Sequence, residues 1–167
     1  MGDKKDLVNQ EAIDKINELA KGNICLFCTY DGNEIVSRPM DTQDVDADGS
    51  MWFMSRKDSI KNMQIGQNNK VYLMYLDTPK QHYLSLSGAA EIVYDRQKIE
   101  ELWTPSTKAW FTEGKDDPEI SLLMVTPESG HYWDTKNGSL VSLLKIAAAV
   151  ITGKEMDGSI QGDIELK

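Results

Sequence analysis

Residues 24–40 read as a β-hairpin, and this constrains the chain more than any other stretch. Two apolar runs, 24–30 and 34–40, flank Asp31-Gly32-Asn33. Asp-Gly and Gly-Asn supply the left-handed backbone that a tight hairpin turn needs. Further runs with strand character follow at 50–54, 71–77, 82–94, 122–126 and 130–135. Gly88, in the middle of the longest, marks a bulge or a close backbone approach. Helical patterns fall between the runs rather than alternating with them. Residues 9–21 carry Ile13, Ile16, Leu19 and Ala20 on one side, with Asn9 placed to cap the start and Gly22 the end. Residues 59–68 and 96–103 read as two more helices, the latter capped by Asp95, and residues 139–152 as a C-terminal one. The pattern predicts a mainly β fold, an antiparallel barrel with added helices, and not a doubly wound sheet.

A chain of 167 residues is expected to form one domain, here 1–153, followed by a polar, acidic and loosely ordered tail at 154–167. The formal net charge of −9 argues against a nucleic-acid surface. The longest apolar run, near 146–151, is too short to span a bilayer. The N-terminus shows no secretory pattern, so the expected compartment is the cytoplasm. Cys25 and Cys28 form a C-x-x-C pair on a strand, where positions three apart face opposite ways, so two reduced, buried structural thiols are expected. Asp41, Asp44, Asp46 and Asp48 lack the register and closing glutamate of a calcium loop. His82 and His131 are the only histidines, each on or beside a strand, and read as structural. No Ser-His-Asp arrangement and no zinc spacing can be placed, nor any G-x-G-x-x-G or P-loop. Any chemistry then falls to a cofactor.

One stretch departs from the acidic character. Residues 51–54 form a short apolar strand that breaks into a turn holding Ser55, Arg56, Lys57, Ser59 and Lys61. A strand-to-helix turn points N–H groups and the positive end of the helix dipole outward, which suits an anion such as phosphate. Arg38, in Ser37-Arg38-Pro39-Met40, can make a bidentate contact to the same kind of group. Trp52, Trp103, Trp110 and Trp133 supply core or a platform for a flat ring, and Trp110, in an irregular segment, is the least core-like.

Together, Ser37-Arg38-Pro39-Met40, Trp52-Phe53-Met54-Ser55 with Ser59-Ile60-Lys61, Leu86-Ser87-Gly88-Ala89-Ala90, Lys108-Ala109-Trp110-Phe111 through Pro118, and Tyr132-Trp133-Asp134 resemble one group of proteins. It is the general stress protein 26 group of the pyridoxamine 5′-phosphate oxidase-like, FMN-binding split-barrel superfamily. The resemblance covers roughly residues 9–136. It implies a six-stranded split β-barrel and a homodimer with FMN at the subunit interface, one per subunit. Arg38 resembles the arginine that reaches the flavin phosphate or ring edge, where a cation favours the reduced, anionic ring. Pro39 and Met40 resemble the strand end beside the isoalloxazine. Phe53, Met54 and Ser55 resemble the strand that contacts the ring through its main chain. Ser59 and Lys61 resemble the phosphate-holding serine and lysine, and Ile60 stands where the oxidases carry a further arginine. Trp110 and Trp133 are similar to aromatics near the partner's ligand. The arginine-rich C-terminal segment of pyridoxamine phosphate oxidases has no counterpart here, which argues against that reaction. The implied functions are an FMN-dependent oxidoreductase of unknown substrate, a flavin-holding or sensing module without turnover, or a dimer for another phosphorylated ligand.

Overall fold

The computed structural model describes residues 3–135 and 159–166. In chain order the elements are β1 (Asp3–Lys4), β2 (Leu7–Val8), α1 (Gln10–Ala20), β3 (Ile24–Asp31), β4 (Glu34–Asp41), β5 (Asp44–Val45), β6 (Met51–Arg56), α2 (Ile60–Gln67), β7 (Lys70–Asp77), β8 (His82–Val93), α3 (Arg96–Leu102), β9 (Ile120–Thr135) and β10 (Ser159–Glu165). A 3-10 turn at Pro105–Ala109 lies between α3 and β9.

Antiparallel pairing runs β4-β3-β7-β8-β9, and β6 joins the far edge of β9. These six strands curve around a core that includes Phe27, Met51, Phe53, Leu73, Leu84, Leu86 and Leu123. The ring of Phe53 meets that of Phe27 edge-on, with centroids 5.1 Å apart. No ladder joins β4 to β6, although the two approach each other, so the barrel is split between them. The expected fold class, a six-stranded antiparallel split barrel with peripheral helices, is the one formed. A second small core of Trp52, Ile99, Leu102, Phe111, Ile120 and Leu122 seats α3 on the outside of β6 and β9.

The runs 122–126 and 130–135, expected as two strands, are one continuous strand of 16 residues. Pro127 does not break it, because it sits opposite Gly88 at a bulge where the register shifts. Gly88 is required there: a Cβ would overlap the Thr126 carbonyl oxygen. Beyond the bulge β9 exchanges its edge partner, pairing with β6 from Ile120 to Val125 and with β10 from Ser129 to Thr135.

β10 overturns the expected loose tail at 159–165. Its alternation buries Gly162 and Ile164, and its second edge takes parallel pairing from β1 and β2. Gly162 lets the chain cross close to Lys5, whose carbonyl a Cβ would strike. The expected helix at 139–152 lies outside the described residues. Asn9 occupies the start of α1 at φ 50° but its side chain makes no capping bond. Asp95, as expected, caps α3 through the N–H groups of Gln97 and Lys98.

α1 is fastened to the barrel by charge. Asp134 on β9 accepts from Lys15 Nζ at 2.8 Å and contacts His82 Nε2 at 2.9 Å. Burial opposes the charge on Asp134, but the Lys15 bond, the Thr135 N–H and His82 outweigh it and hold the carboxyl below its ordinary range. Lys15 is likewise held charged, its burial outweighed by Asp134 and Glu18. His131 contacts Asp163 Oδ1 at 2.8 Å, tying β9 to β10. Both histidines are therefore engaged structurally. Cys25 and Cys28 are buried free thiols, with Cys25 pushed up to about 12 chiefly by burial. Among the described residues no helix is long and apolar enough to cross a membrane.

Gly88→Ala should destabilise by about 1–3 kcal/mol, because the displaced atom is backbone and cannot swing aside; thermal or urea unfolding reads the loss. A depressed carboxyl contributes stability that is present above its unfolded pKa, 3.8, and is lost as pH falls through the lower folded value. Asp134→Asn should therefore flatten the acid limb of stability below about pH 4 and lower stability near neutrality. An unchanged limb in denaturant titrations from pH 2 to 7 would count against the ion pair.

Candidate functional site

The split leaves two strand edges open, and the sequence decides which main-chain groups face the opening. On β4, Thr42 N donates to the Asn23 carbonyl, so even-numbered residues bond to β3 and odd-numbered ones face outward. Pro39 is one of these, and its missing N–H costs nothing on an open edge. On β6, Lys57 N donates to the Glu119 carbonyl across to β9, whereas the Trp52 carbonyl points the other way and accepts from Gln43 N. The alternation then turns the N–H and C=O of Met54 toward the opening. Phe53 and Ser55 direct theirs to β9. Of the three residues expected to contact a ring through the backbone, Met54 is the one whose main chain is available.

α2 sits against β3 and β8 at the end of the barrel where the hairpin turns. Ser59 starts it as a true cap, accepting from Asn62 N at 3.3 Å. Ser55, which is buried, donates to Asn62 Oδ1 at 2.6 Å, and Asn62 Nδ2 donates to Ser121 Oγ at 2.9 Å. Ser59 Oγ lies 3.2 Å from Ser55 Oγ. The serines thus first build the helix start, which fixes the direction of its opening N–H groups and of Lys61 in its first turn.

Arg38 reaches the same place from β4. Its cross-strand partner is Phe27, so it points to the inner face of the sheet. The guanidinium donates from Nη1 to Thr29 Oγ1 at 2.6 Å and to the Phe27 carbonyl at 3.3 Å, and from Nη2 to Gln64 Oε1 at 3.1 Å. All three acceptors are neutral. Neither Arg38 nor Lys61 forms a salt bridge among the described residues, while Arg56 pairs with Asp58. Burial pushes Lys61 below the ordinary lysine value and the nearby Arg38 charge pushes it further, while the Asp58 carboxylate, itself bonded to Arg56, offsets part of this. Burial likewise lowers Arg38. Two half-buried cations repel each other beside an opening, in a protein of net charge −9. That arrangement is unfavourable until an anion joins it.

Arg38, Ser55, Ser59 and Lys61 are therefore drawn to one end of the split, and Met54 and Pro39 line its edges. Met40 and Phe53 are buried in the core and shape the wall from behind. Arg56 and Lys57 face away: Arg56 is held by Asp58, and Lys57 Nζ stands 5.1 Å from the centre of the Tyr94 ring. Trp110 and Trp133 are not joined to this group within one chain. Trp110 follows the 3-10 turn and is 79% exposed. Trp133 lies on the outer face of β9 against His131, ring centres 4.4 Å apart. Sequence reading missed Thr29, Asn62 and Gln64. These three are polar and buried, which is a signal only once the strand and helix faces are known. The aspartates of the 41–48 loop are engaged internally: Asp44 by Lys21, Asp46 by Trp52 and Lys98, Asp48 by Ser50 N.

The same architecture recurs in known proteins. A protein described as a general stress protein 26 from Jannaschia sp. CCS1 superposes with a TM-score of 0.72 at 25% identity, over 92% of this chain and 94% of its own. The general stress FMN/FAD binding protein from Xanthomonas citri does so with a TM-score of 0.63 at 25% identity, over 74% and 87%. Protein bli-3 of Neurospora crassa is 25% identical over 155 residues, 84% of this chain and 74% of that protein. Residues 11–157 match the pyridoxamine 5′-phosphate oxidase-like family, and the chain belongs to that family.

Proposed function

We propose that this protein binds FMN in the split between β4 and β6, as a homodimer, and uses the flavin for electron transfer with a small-molecule substrate. One observation carries the reading: Arg38, held only by neutral acceptors, and Lys61, in the first turn of α2, are half-buried at one end of the split, the Arg38 charge disfavours the charge on Lys61, and neither bonds a carboxylate among the described residues. A phosphate monoester, with up to two negative charges, would match the two cations and remove their mutual repulsion. The phosphates of a dinucleotide diphosphate carry one charge each in their esterified form, so FMN suits the pair better than FAD. Ser59 and the first N–H groups of α2 add donors at the same point. Met54 offers a main-chain donor and acceptor to the edge of a flat ring. The Xanthomonas citri relative's FMN/FAD binding supports the choice of flavin.

The homodimer accounts for an outer face that one chain leaves bare. Ile24 and Leu26 on β3 and Tyr72 and Leu76 on β7 are exposed on the side of the sheet away from the core, beside Trp133 on β9. Adjacent strands carry this apolar surface in register, and a second copy presenting the same face would cover it isologously. Trp110, exposed at 79%, is then available to the partner's ligand. The flavin, when bound, supplies the hydride or electron chemistry that the side chains lack. Arg38 and Lys61 hold its anionic end.

The purified protein should take up riboflavin 5′-phosphate with one site per subunit and turn yellow. Lys61→Ala should weaken that binding by about 1.5–3 kcal/mol, read by fluorescence quenching; an unchanged Kd would remove Lys61 from the phosphate. Anaerobic bleaching by NAD(P)H, followed by reoxidation at a catalytic rate with an added acceptor, separates an oxidoreductase from a flavin carrier. Leu26→Glu places a charge in the proposed interface and should raise the dimer dissociation constant by at least about tenfold. Light scattering showing an undisturbed dimer would move the interface elsewhere.

A further inference from the structure

Gln64 and Thr29 are buried polar residues with no place in the barrel core's apolar packing. Their bonds converge on one group. Thr29 Oγ1 accepts from Arg38 Nη1 at 2.6 Å and donates its own proton to Gln64 Oε1 at 2.6 Å. Gln64 Oε1 also accepts from Arg38 Nη2 at 3.1 Å. The three side chains close a ring in which both terminal nitrogens of the guanidinium are held. The amide of Gln64 has only one sensible orientation. Its Nε2 donates to Asp31 Oδ2 over a long 3.4 Å, and its oxygen therefore faces Arg38. The hairpin turn, α2 and β4 all contribute, so the ring can form only in the folded barrel.

Its chemistry is selective. A glutamate in place of Gln64 would give Arg38 a carboxylate, and a buried, hydrogen-bonded ion pair would leave little charge for a ligand. Neutral acceptors do the reverse. They fix the plane of the guanidinium and leave its net charge unopposed. We propose that Gln64, with Thr29, is a positioning residue that aims Arg38 at the anion while keeping its charge uncompensated. The role rests on the phosphate reading of the Arg38–Lys61 pair, but the restraint on Arg38 is a property of the ligand-free protein and can be tested without ligand.

Two measurements on the full chain decide it. In the ligand-free protein with 15N-labelled arginine, the Arg38 Nη signals, assigned by their loss in Arg38→Ala, should be resolved because rotation about the Nε–Cζ bond is hindered. Gln64→Met, which keeps the bulk of the side chain, should collapse them while the amide spectrum stays dispersed. Riboflavin 5′-phosphate and inorganic phosphate are the binding probes, with riboflavin as the control that lacks a phosphate. Gln64→Met should weaken both phosphate probes by about fivefold to tenfold, the value of one hydrogen bond. Gln64→Glu should weaken them by about tenfold to a hundredfold, since it removes a charge-assisted contact. Riboflavin should bind all variants alike. In an Arg38→Ala background Gln64→Met should cost nothing further.

Arg38 signals that remain resolved in Gln64→Met would overturn the proposal. So would a Gln64→Glu variant that binds phosphate like the wild type, or a Gln64→Met loss that persists without Arg38. If the wild type takes up neither phosphate probe, the phosphate reading fails, and the guanidinium signals alone then decide whether Gln64 positions Arg38.

Discussion

The fold turns on β9 giving one edge to two different partners. A strand of 16 residues is longer than the barrel needs. Its first part closes the barrel against β6, and its second part leaves the barrel to pair with β10. The exchange takes place at the bulge between Gly88 and Pro127, where a proline and a glycine face each other and neither supports a regular ladder. β6 begins at Met51, opposite Val125 and just short of the point where β9 changes partner, and beyond the pairing of Met51 and Trp52 with β5 its other edge is free. The opening lies between that free edge and β4, the last strand on the other side. A fully closed barrel would have no edge to offer a flat ring, and a fully open sheet would not bring β4 and β6 together.

Within that opening the chain leaves two half-buried cations without a bonded carboxylate. The described lysines Lys4, Lys15, Lys21, Lys98 and Lys115 each meet a carboxylate, as an acidic protein makes easy. Arg38 and Lys61 do not, although burial makes a partner more valuable to them than to a surface lysine. The energetic penalty falls on the ligand-free state. It is offset by the core that Phe27 and Phe53 form directly behind the pair, and by the serine and asparagine bonds that fix the start of α2. Local instability at a site that a ligand relieves is a general mark of binding surfaces.

Much of the fold could be read from the chain because its signals are local. The Asp31-Gly32-Asn33 turn, the cap Asp95, and the bulge at Gly88 each act within a few residues, and each stands where it was expected. The strand at Ser159–Glu165 was hidden because it depends on partners at the far end of the chain, Asp3–Lys4 and Leu7–Val8. Its acidic residues point outward from a sheet whose other face is buried, and polarity alone suggested solvent. The break expected near residue 127 was misread because proline's meaning depends on which edge it occupies. At the site, the cations and hydroxyls were visible as a cluster against a negative background. The neutral groups that hold Arg38 were not, since nothing about an isolated threonine or glutamine distinguishes a buried one.

Arg56 and Lys57 show why composition alone could not locate the site. They are the charges nearest the strand-to-helix turn in sequence, yet one is paired with Asp58 and the other rests over Tyr94. Arg56 ends β6 and Lys57 lies in the turn after it, both exposed, whereas Arg38, 23 residues from Lys61 by sequence position, acts on Lys61 because its guanidinium reaches α2 through Gln64. A cation's availability depends on what else lies within reach: Arg56 is bonded to Asp58 and Lys57 rests on an aromatic face, whereas Arg38 and Lys61 are half-buried together at the end of the split. The neutral acceptors that hold Arg38 where a carboxylate would neutralise it are therefore a more specific mark of an anion site than the presence of basic residues.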